Sequence, residues 1–427
     1  MGMTFAEKVL SAKAGRSVRA GEIVTVEPDL VLSHDNTAAI SQTFAKIGVE
    51  RVRHPERLVV VLDHCVPAAD SKHAQNHKTI REFVRTQGIE RFFDIEAGVC
   101  HQVVMENAFA LPGMVCVGSD SHTTTYGAAA AFAVGIGRTE TACTWATGEL
   151  WLRVPETLRV RVSGKLPRRV GAKDLILKVI GELGADGADY MSVEWCGETV
   201  AALSVDSHMV LCNMSAEMGA KNAYVPPLPH LRHWLREHGA DLARLGGLGE
   251  EDDLLPLHSD PDAAFAATIE VDAGSLEPQV ARPHRVDNVA PVGQVKGVRV
   301  HQCLLGTCTN GRVEDLAAAW DVLQGKHVHK DTRLLVFPAS QQVNLAAMRA
   351  GLAEQFIDAG AVWMNPGCGA CLGAHEGILA PGEVCISSSN RNFQGRMGTP
   401  DSEVYLASPW SVAAAAVAGE IVDPREV

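Results

Sequence analysis

Gly306-Thr307-Cys308-Thr309-Asn310-Gly311-Arg312 and Pro366-Gly367-Cys368-Gly369-Ala370-Cys371-Leu372-Gly373 together place three cysteines in two glycine-rich loops, spaced C-x59-C-x2-C. Glycine beside each cysteine allows positive φ and lets the backbone approach a bulky ligand closely. Thiolates anchor iron–sulfur clusters, and a C-x2-C pair puts two sulfurs within reach of one centre. A four-iron cube held by only three thiolates leaves one iron open to substrate, as catalytic zinc keeps an open position. The same cysteines also admit other readings. His375, four residues after Cys371, could close a structural zinc site with Cys308, Cys368 and Cys371. A thioredoxin-like redox pair fits less well, because such pairs follow a strand and open a helix, whereas Cys368 and Cys371 are bracketed by Pro366 and glycines. The cysteines alone leave cluster and zinc open.

Working outward, 427 residues exceed one hydrophobic core and imply two to four domains. The chain is 46% hydrophobic with 5% aromatic residues, the composition of an α/β protein rich in Ala, Val and Gly. A net charge of −13 opposes a nucleic-acid or anionic-membrane partner. No apolar run approaches the length of a membrane span or of a signal peptide core. Eleven scattered cysteines suit reduced thiols in a cytosol, so a cytoplasmic location is expected.

The spacing of apolar residues predicts helices over 5–14, 38–47, 71–88, 173–184, 313–323, 341–352 and 411–421. It predicts strands over 22–26, 30–33, 58–62, 114–117, 157–162, 198–205, 298–304, 333–337, 383–388 and 404–407. The run Leu58-Val59-Val60-Val61-Leu62 reads as a strand buried on both faces. His73 and His77, at i,i+4 on the 71–88 helix, lack a third ligand and read as a solvated face. Residues 226–261 look like a connecting lobe, and 281–292, interrupted by proline, like an interdomain link. The resulting division is 1–155, 156–280 and 281–427, with parallel α/β character in the first and last parts.

Polar clusters stand at the predicted strand ends, where open α/β sheets place ligands. They are His34-Asp35-Asn36-Thr37, Asp63-His64, Gly118-Ser119-Asp120-Ser121-His122-Thr123 and, on other segments, His101 and the Asn213/Glu217 pair one helical turn apart. Each alone is more ordinary: an aspartate at a strand end often caps a helix. With the cysteine loops and Ser389-Asn390-Arg391-Asn392-Phe393-Gln394-Gly395-Arg396, the set resembles the aconitase superfamily of iron–sulfur hydro-lyases. The strings Gly-Ser-Asp-Ser-His-Thr, Gly-Thr-Cys-Thr-Asn-Gly-Arg, Gly-Cys-Gly-Ala-Cys-Leu-Gly and Asn-Arg-Asn-Phe-Gln-Gly-Arg occur in that family's order and span about Asp29 to Arg396.

The resemblance implies a multi-domain aconitase-like α/β/α core with a [4Fe-4S] cluster at the domain interface, one per subunit, on Cys308, Cys368 and Cys371. Single-chain aconitases continue into a swivelling domain that supplies a catalytic serine and a substrate-binding arginine. This chain stops soon after the Arg396 loop. It therefore resembles the large subunits of the two-chain branch, the 3-isopropylmalate dehydratases and homoaconitases, and implies a separate small subunit in a heterodimer or heterotetramer. His34 stands where single-chain members carry a substrate-contacting glutamine, which points away from citrate.

The implied reaction is reversible dehydration of a hydroxy-dicarboxylate, as in isomerising 2- and 3-isopropylmalate during leucine biosynthesis. Alternatives are a homoaconitase, a hydratase of another methyl-substituted malate or maleate, and a non-catalytic RNA-binding iron sensor. In the family pattern Asp63, His64, His101, Asp120, Ser121, His122 and Glu217 are catalytic, with His64–Asp63 and His101–Asp120 as imidazole–carboxylate pairs. His34, Arg391 and Arg396 are expected at the substrate, the arginines because a guanidinium fork matches a carboxylate. Asn310 and Asn390 are expected to contact the cluster.

Overall fold

The computed structural model describes residues 2–241 and 257–427; residues 242–256 of the lobe expected over 226–261 lie outside the described residues. The first sheet has five parallel strands in the spatial order Arg91–Phe93, Leu58–Val61, Leu30–Ser33, Val115–Gly118, Phe132–Gly135. Its central strands are apolar on both faces because both are covered. Leu30, Leu32, Val59 and Val61 face one core, and Val31, Leu58, Val60, Val115 and Val117 face another. The polar residues that follow these strands therefore emerge together at one sheet edge.

A second sheet of four parallel strands runs Asn222–Tyr224, Ser192–Cys196, Thr157–Ser163, Ala267–Asp272. Here the expected strand over 198–205 is wrong: Glu198–Ala201 and Val205–Ser215 are helical, and the strand is Ser192–Cys196. Gly197 explains the break. It has φ 102°, and a Cβ there would sit 2.2 Å from the Val162 carbonyl oxygen, so the chain turns and Ser204 then caps the next helix through its hydroxyl. The segment Ala216–Met218, carrying Glu217, continues that helix as a tighter turn.

The third sheet has seven strands, in the order Val289–Pro291, Gln279–Ala281, Glu403–Ala407, Val384–Ser387, Gln302–Gly306, Arg333–Phe337, Val362–Trp363. Its last five strands are mutually parallel, and the first two form an antiparallel edge. The segment over 281–292 is built into this sheet: Val289–Pro291 pairs with Gln279–Ala281, which pairs on its other side with Glu403–Ala407. An antiparallel ribbon of Ile23–Val26 with Leu150–Arg153 completes the pairing. Among the described residues no helix is long and apolar enough to cross a membrane.

Candidate active site

Cys308 follows the strand Gln302–Gly306, and the Cys368–Cys371 loop lies over the next strand, Arg333–Phe337. Both loops close on Phe337. A Cβ on Gly306 would lie 1.9 Å from the Phe337 carbonyl oxygen, and one on Gly369 2.3 Å from its ring. Both glycines have positive φ, 127° and 50°. Thr307 also adopts φ 65°, which a β-branched residue rarely does without functional reason. All three thiols are buried.

Asn390 joins the two loops: its Nδ2 donates to Cys308 Sγ at 3.3 Å, and Cys371 Sγ lies 3.8 Å from its Oδ1. Asn213 Nδ2 also reaches Cys308 Sγ, at 3.6 Å, and Arg396 Nη2 lies 3.8 Å from Cys371 Sγ. Among the described residues, Asn310 makes no hydrogen bond to a cysteine sulfur. Its Nδ2 is committed to Asp315 Oδ1 at 2.8 Å, so the amides that meet the sulfurs are those of Asn213 and Asn390.

The residues fit a bulky polar group held by the three thiols. Thr307 Oγ1, Asn310 Oδ1, Arg396 Nε and both ring nitrogens of His375 are buried without protein partners, an unusual concentration around one pair of loops. The zinc alternative fits less well, because a tetrahedral site needs its four donors gathered closely. The compact donor groups among the described residues, with ligand atoms within 4.8 Å of one another, are instead His34-Asp35-Asp63-His64 and His101-Asp120-His122.

Asp120 is the hub of the adjoining polar cluster. Its Oδ1 accepts from His101 Nε2 at 3.0 Å and from the His122 backbone N–H at 2.7 Å, with His122 Nδ1 at 3.3 Å. Its Oδ2 lies 3.7 Å from His64 Nε2. Burial opposes this negative charge, but the bonds from His101, His122 and His64 outweigh it and hold Asp120 well below the usual carboxylate range.

His64 Nδ1 donates to Asp63 Oδ1 at 2.5 Å, while Asp63 Oδ2 accepts the Cys100 N–H at 2.7 Å. Burial would strip the proton from His64; the Asp63 and Asp120 charges prevail and raise its affinity well above that of ordinary imidazole. His101 Nδ1 meets the Tyr126 hydroxyl at 3.1 Å. His34 stacks on the His64 ring with centroids 3.9 Å apart, and its Nδ1 has no protein partner. Burial and the His64 charge push His34 down to about 4.

On the other side, His122 Nε2 donates to Glu217 Oε1 at 2.6 Å. Burial and Arg391 oppose the His122 charge, but Asp120 and Glu217 leave it raised overall. Arg391 Nε donates to both Glu217 oxygens at 2.9 and 3.1 Å, and its Nη2 to Ser121 Oγ at 2.7 Å. No hydrogen bond among the described residues engages its Nη1. Glu217 and Arg391 also line a cavity of about 330 Å³ with Asn392 and the half-exposed Phe393, and Ser121 lines a neighbouring one of about 300 Å³.

Three residues outside the expected set support this one. Asp35 accepts the backbone N–H groups of Asp63 and His64, both at 2.9 Å. His77, expected on a solvated face, is instead buried and donates to Asp35 Oδ1 at 3.2 Å. Arg312, fully buried, donates to the carbonyls of Cys308 and Thr309 at 2.9 and 2.8 Å and to Gln102 Oε1 at 3.0 Å. The signal for Asp35 was its place after an apolar strand, the place also taken by Asp63 and Asp120. His77 stood out only as half of the His73/His77 pair and Arg312 only as the last residue of the Cys308 string, and neither pattern shows the distant partners that give them their roles.

Comparison with known proteins bears on the whole arrangement. The family model described as the aconitase family (aconitate hydratase) matches residues 7–298 and 293–419. The chain is similar to the protein named 3-isopropylmalate dehydratase large subunit 1 of Methanopyrus kandleri, 50% identical over 100% of this chain and 99% of that one. It is likewise similar to the homoaconitase large subunit of Thermus thermophilus, 48% identical over 100% of this chain and 98% of that one. The 3-isopropylmalate dehydratase large subunit of Moorella thermoacetica is 45% identical over the full length of both. Converging cysteine loops, the Asp120 hub and similarity from end to end agree, and the chain belongs to the aconitase family.

Proposed function

We propose that this chain is the cluster-bearing large subunit of a cytoplasmic hydro-lyase that interconverts 2-isopropylmalate and 3-isopropylmalate by dehydration and rehydration. The observation that carries a dehydratase reading is the meeting of three imidazoles, His64, His101 and His122, on the single carboxylate of Asp120 beside the cysteine loops. The substrate assignment rests on the relatives' names. A homoaconitase reading stands beside it, because relatives of that name are almost as similar.

Cys308, Cys368 and Cys371 would hold one [4Fe-4S] cluster, with Asn213 and Asn390 donating to sulfur. When bound, such a cluster supplies a Lewis acid for the substrate hydroxyl. The chain's own residues do the rest. With Nδ1 donating to Asp63, the Asp63 and Asp120 charges favour the doubly protonated ring, so His64 also carries a proton at Nε2 that it can hand to a departing oxygen. Asp120 accepts from His101 Nε2 and the Tyr126 hydroxyl meets its Nδ1, so the two together orient that ring. Glu217 and Ser121 lock the Arg391 fork, leaving Nη1 to pair with a substrate carboxylate; such pre-set geometry removes orientation entropy from the reaction. Arg396, held over the Phe393 ring with its carbon 5.4 Å from the centroid, is the second candidate for a carboxylate.

The relatives named large subunits are covered along nearly their full length, which supports a small-subunit partner carrying the swivelling domain. The test is anaerobic reconstitution with that partner and a panel of 2-substituted malates. Turnover of isopropylmalate supports the first reading and homocitrate turnover the second. Activity on neither, with a full cluster, would remove both. Cys308→Ser, Cys368→Ser and Cys371→Ser should each abolish the brown colour, whereas Cys143→Ser, at an exposed thiol, should not.

A further inference from the structure

Lys173 occupies the first turn of the helix Ala172–Leu183 and is 1% exposed. A cation there opposes the helix dipole, whose amino end is positive. Burial adds a second cost, since an ammonium out of water needs a compensating charge. The bonded partners of Lys173 supply none. Its Nζ donates to the carbonyls of Ser388 and Ser389 at 2.9 and 2.5 Å and lies 3.7 Å from Met214 Sδ.

The neighbouring acids are committed elsewhere. Asp174 accepts the N–H groups of Gly171 and Gln279, and Asp315 those of Asn310 and Arg312. Burial accordingly pushes the Lys173 ammonium down to about 7, and the foremost influences in the other direction are Cys308 and Cys371. Arg312 differs: it grips carbonyls in the same manner, but Asp315 lies 3.9 Å away.

The Lys173 grip is also placed to matter. Ser388 and Ser389 immediately precede Asn390, whose amide touches sulfurs of both cysteine loops. Ser388 Oγ in turn accepts the Gly306 N–H at 2.9 Å, at the root of the Cys308 loop.

We infer that Lys173 is the buried counter-cation of the group bound by Cys308, Cys368 and Cys371, and that it positions Asn390 against that group through the Ser388 and Ser389 carbonyls. The inference rests on the cluster reading above. It assigns a positioning and charge-balancing role to a residue that reaches neither substrate nor iron.

Two variants of the full chain separate charge from hydrogen bonding. K173Q keeps N–H donors for the carbonyls and removes the charge; K173M removes both. After anaerobic reconstitution, the reduction potential of the bound cluster is measured by spectroelectrochemistry, and iron retention is followed in air. Loss of a nearby positive charge disfavours adding an electron. Both variants should therefore shift the potential to more negative values and lose iron several-fold faster than the parent. K178M, on the exposed face of the same helix, should do neither. A K173Q cluster with the parent's potential would overturn the inference, because the carbonyl ties alone would then suffice. So would failure of both apoproteins to fold, which would make Lys173 a structural tie. A parent chain that takes up no cluster would instead refute the cluster reading itself.

Discussion

His77 donates through Nε2 to Asp35 Oδ1 at 3.2 Å, and this contact lies one layer behind the residues that face the cysteine loops. Asp35 in turn accepts three successive backbone N–H groups, from Asp63 and His64 at 2.9 Å and from Cys65 at 3.3 Å. Burial works against its charge; the His77 bond and the His64 charge prevail and keep it ionised. The strand end carrying Asp63 and His64 is thus held by a carboxylate that touches neither side chain's reactive edge. Asp35→Asn should lower kcat by about tenfold or more while leaving iron content unchanged. It should also reduce stability by about 1.5–3 kcal/mol, the scale of a hydrogen bond to a charged group. Parent-like kcat in this variant would show that the backbone of His64 needs no such support.

Much of the frame was legible because apolar runs on parallel strands leave no ambiguity about burial. Leu58–Val61 is one example, and the aspartates after Leu30–Ser33, Leu58–Val61 and Val115–Gly118 follow from it. What failed, failed for local reasons. Ser192–Cys196 carries Glu194 inside a strand, and only Tyr224, Arg159 and Ser259 from distant parts of the chain make that burial tolerable. Residues 198–205 have strand-like composition, yet Gly197 turns the chain away. His77 looked solvated because its partner lies 42 positions earlier. Lys173 was hidden in the same way, as its bonds run to carbonyls more than two hundred residues on.

His101→Ala and Asp120→Asn probe the hub directly. Each should leave the cysteine loops and their iron intact, since neither side chain bonds a sulfur. Activity should fall by about 10²–10⁴, the usual contribution of a positioned acid or base. Asp120→Asn should be the more severe, because it also frees His122 and His64 from one carboxylate. Iron content and kcat measured on the same preparation decide the matter. Loss of iron along with activity would mean that the hub is structural.

The pH profile should report His64. Its proton is bound more tightly than an ordinary imidazole's, so the group is charged at neutral pH and is lost only as pH rises through the elevated value. Activity that needs this proton should therefore decline on the alkaline side. Among the influences that raise it, Asp63 is foremost, and Asp63→Asn removes that charge while preserving shape. The alkaline limb of kcat should then move to lower pH. An unmoved limb, in a variant that still turns over, would assign the limb to another group.

The final expectation is that the chain alone binds its cluster and turns over substrate negligibly. Dehydration requires a proton to leave the carbon next to a carboxylate, from the face opposite the Lewis acid. The imidazoles of His64, His101 and His122 and the carboxylates of Asp63, Asp120 and Glu217 form one continuous network beside the cysteines, already committed to one another. A base for the opposite face must come from elsewhere. The rim is also open: Phe393 is 51% exposed, and Arg391 and Ser121 border water-accessible cavities. Water there screens the guanidinium that would hold the substrate, and a closed site would strengthen it. Activity on 3-isopropylmalate should accordingly rise and saturate as a small subunit is titrated into the reconstituted chain. KM should fall together with the rise in kcat, because closure improves both binding and chemistry. Full dehydratase activity without any partner would place the missing base within this chain and refute the division of labour.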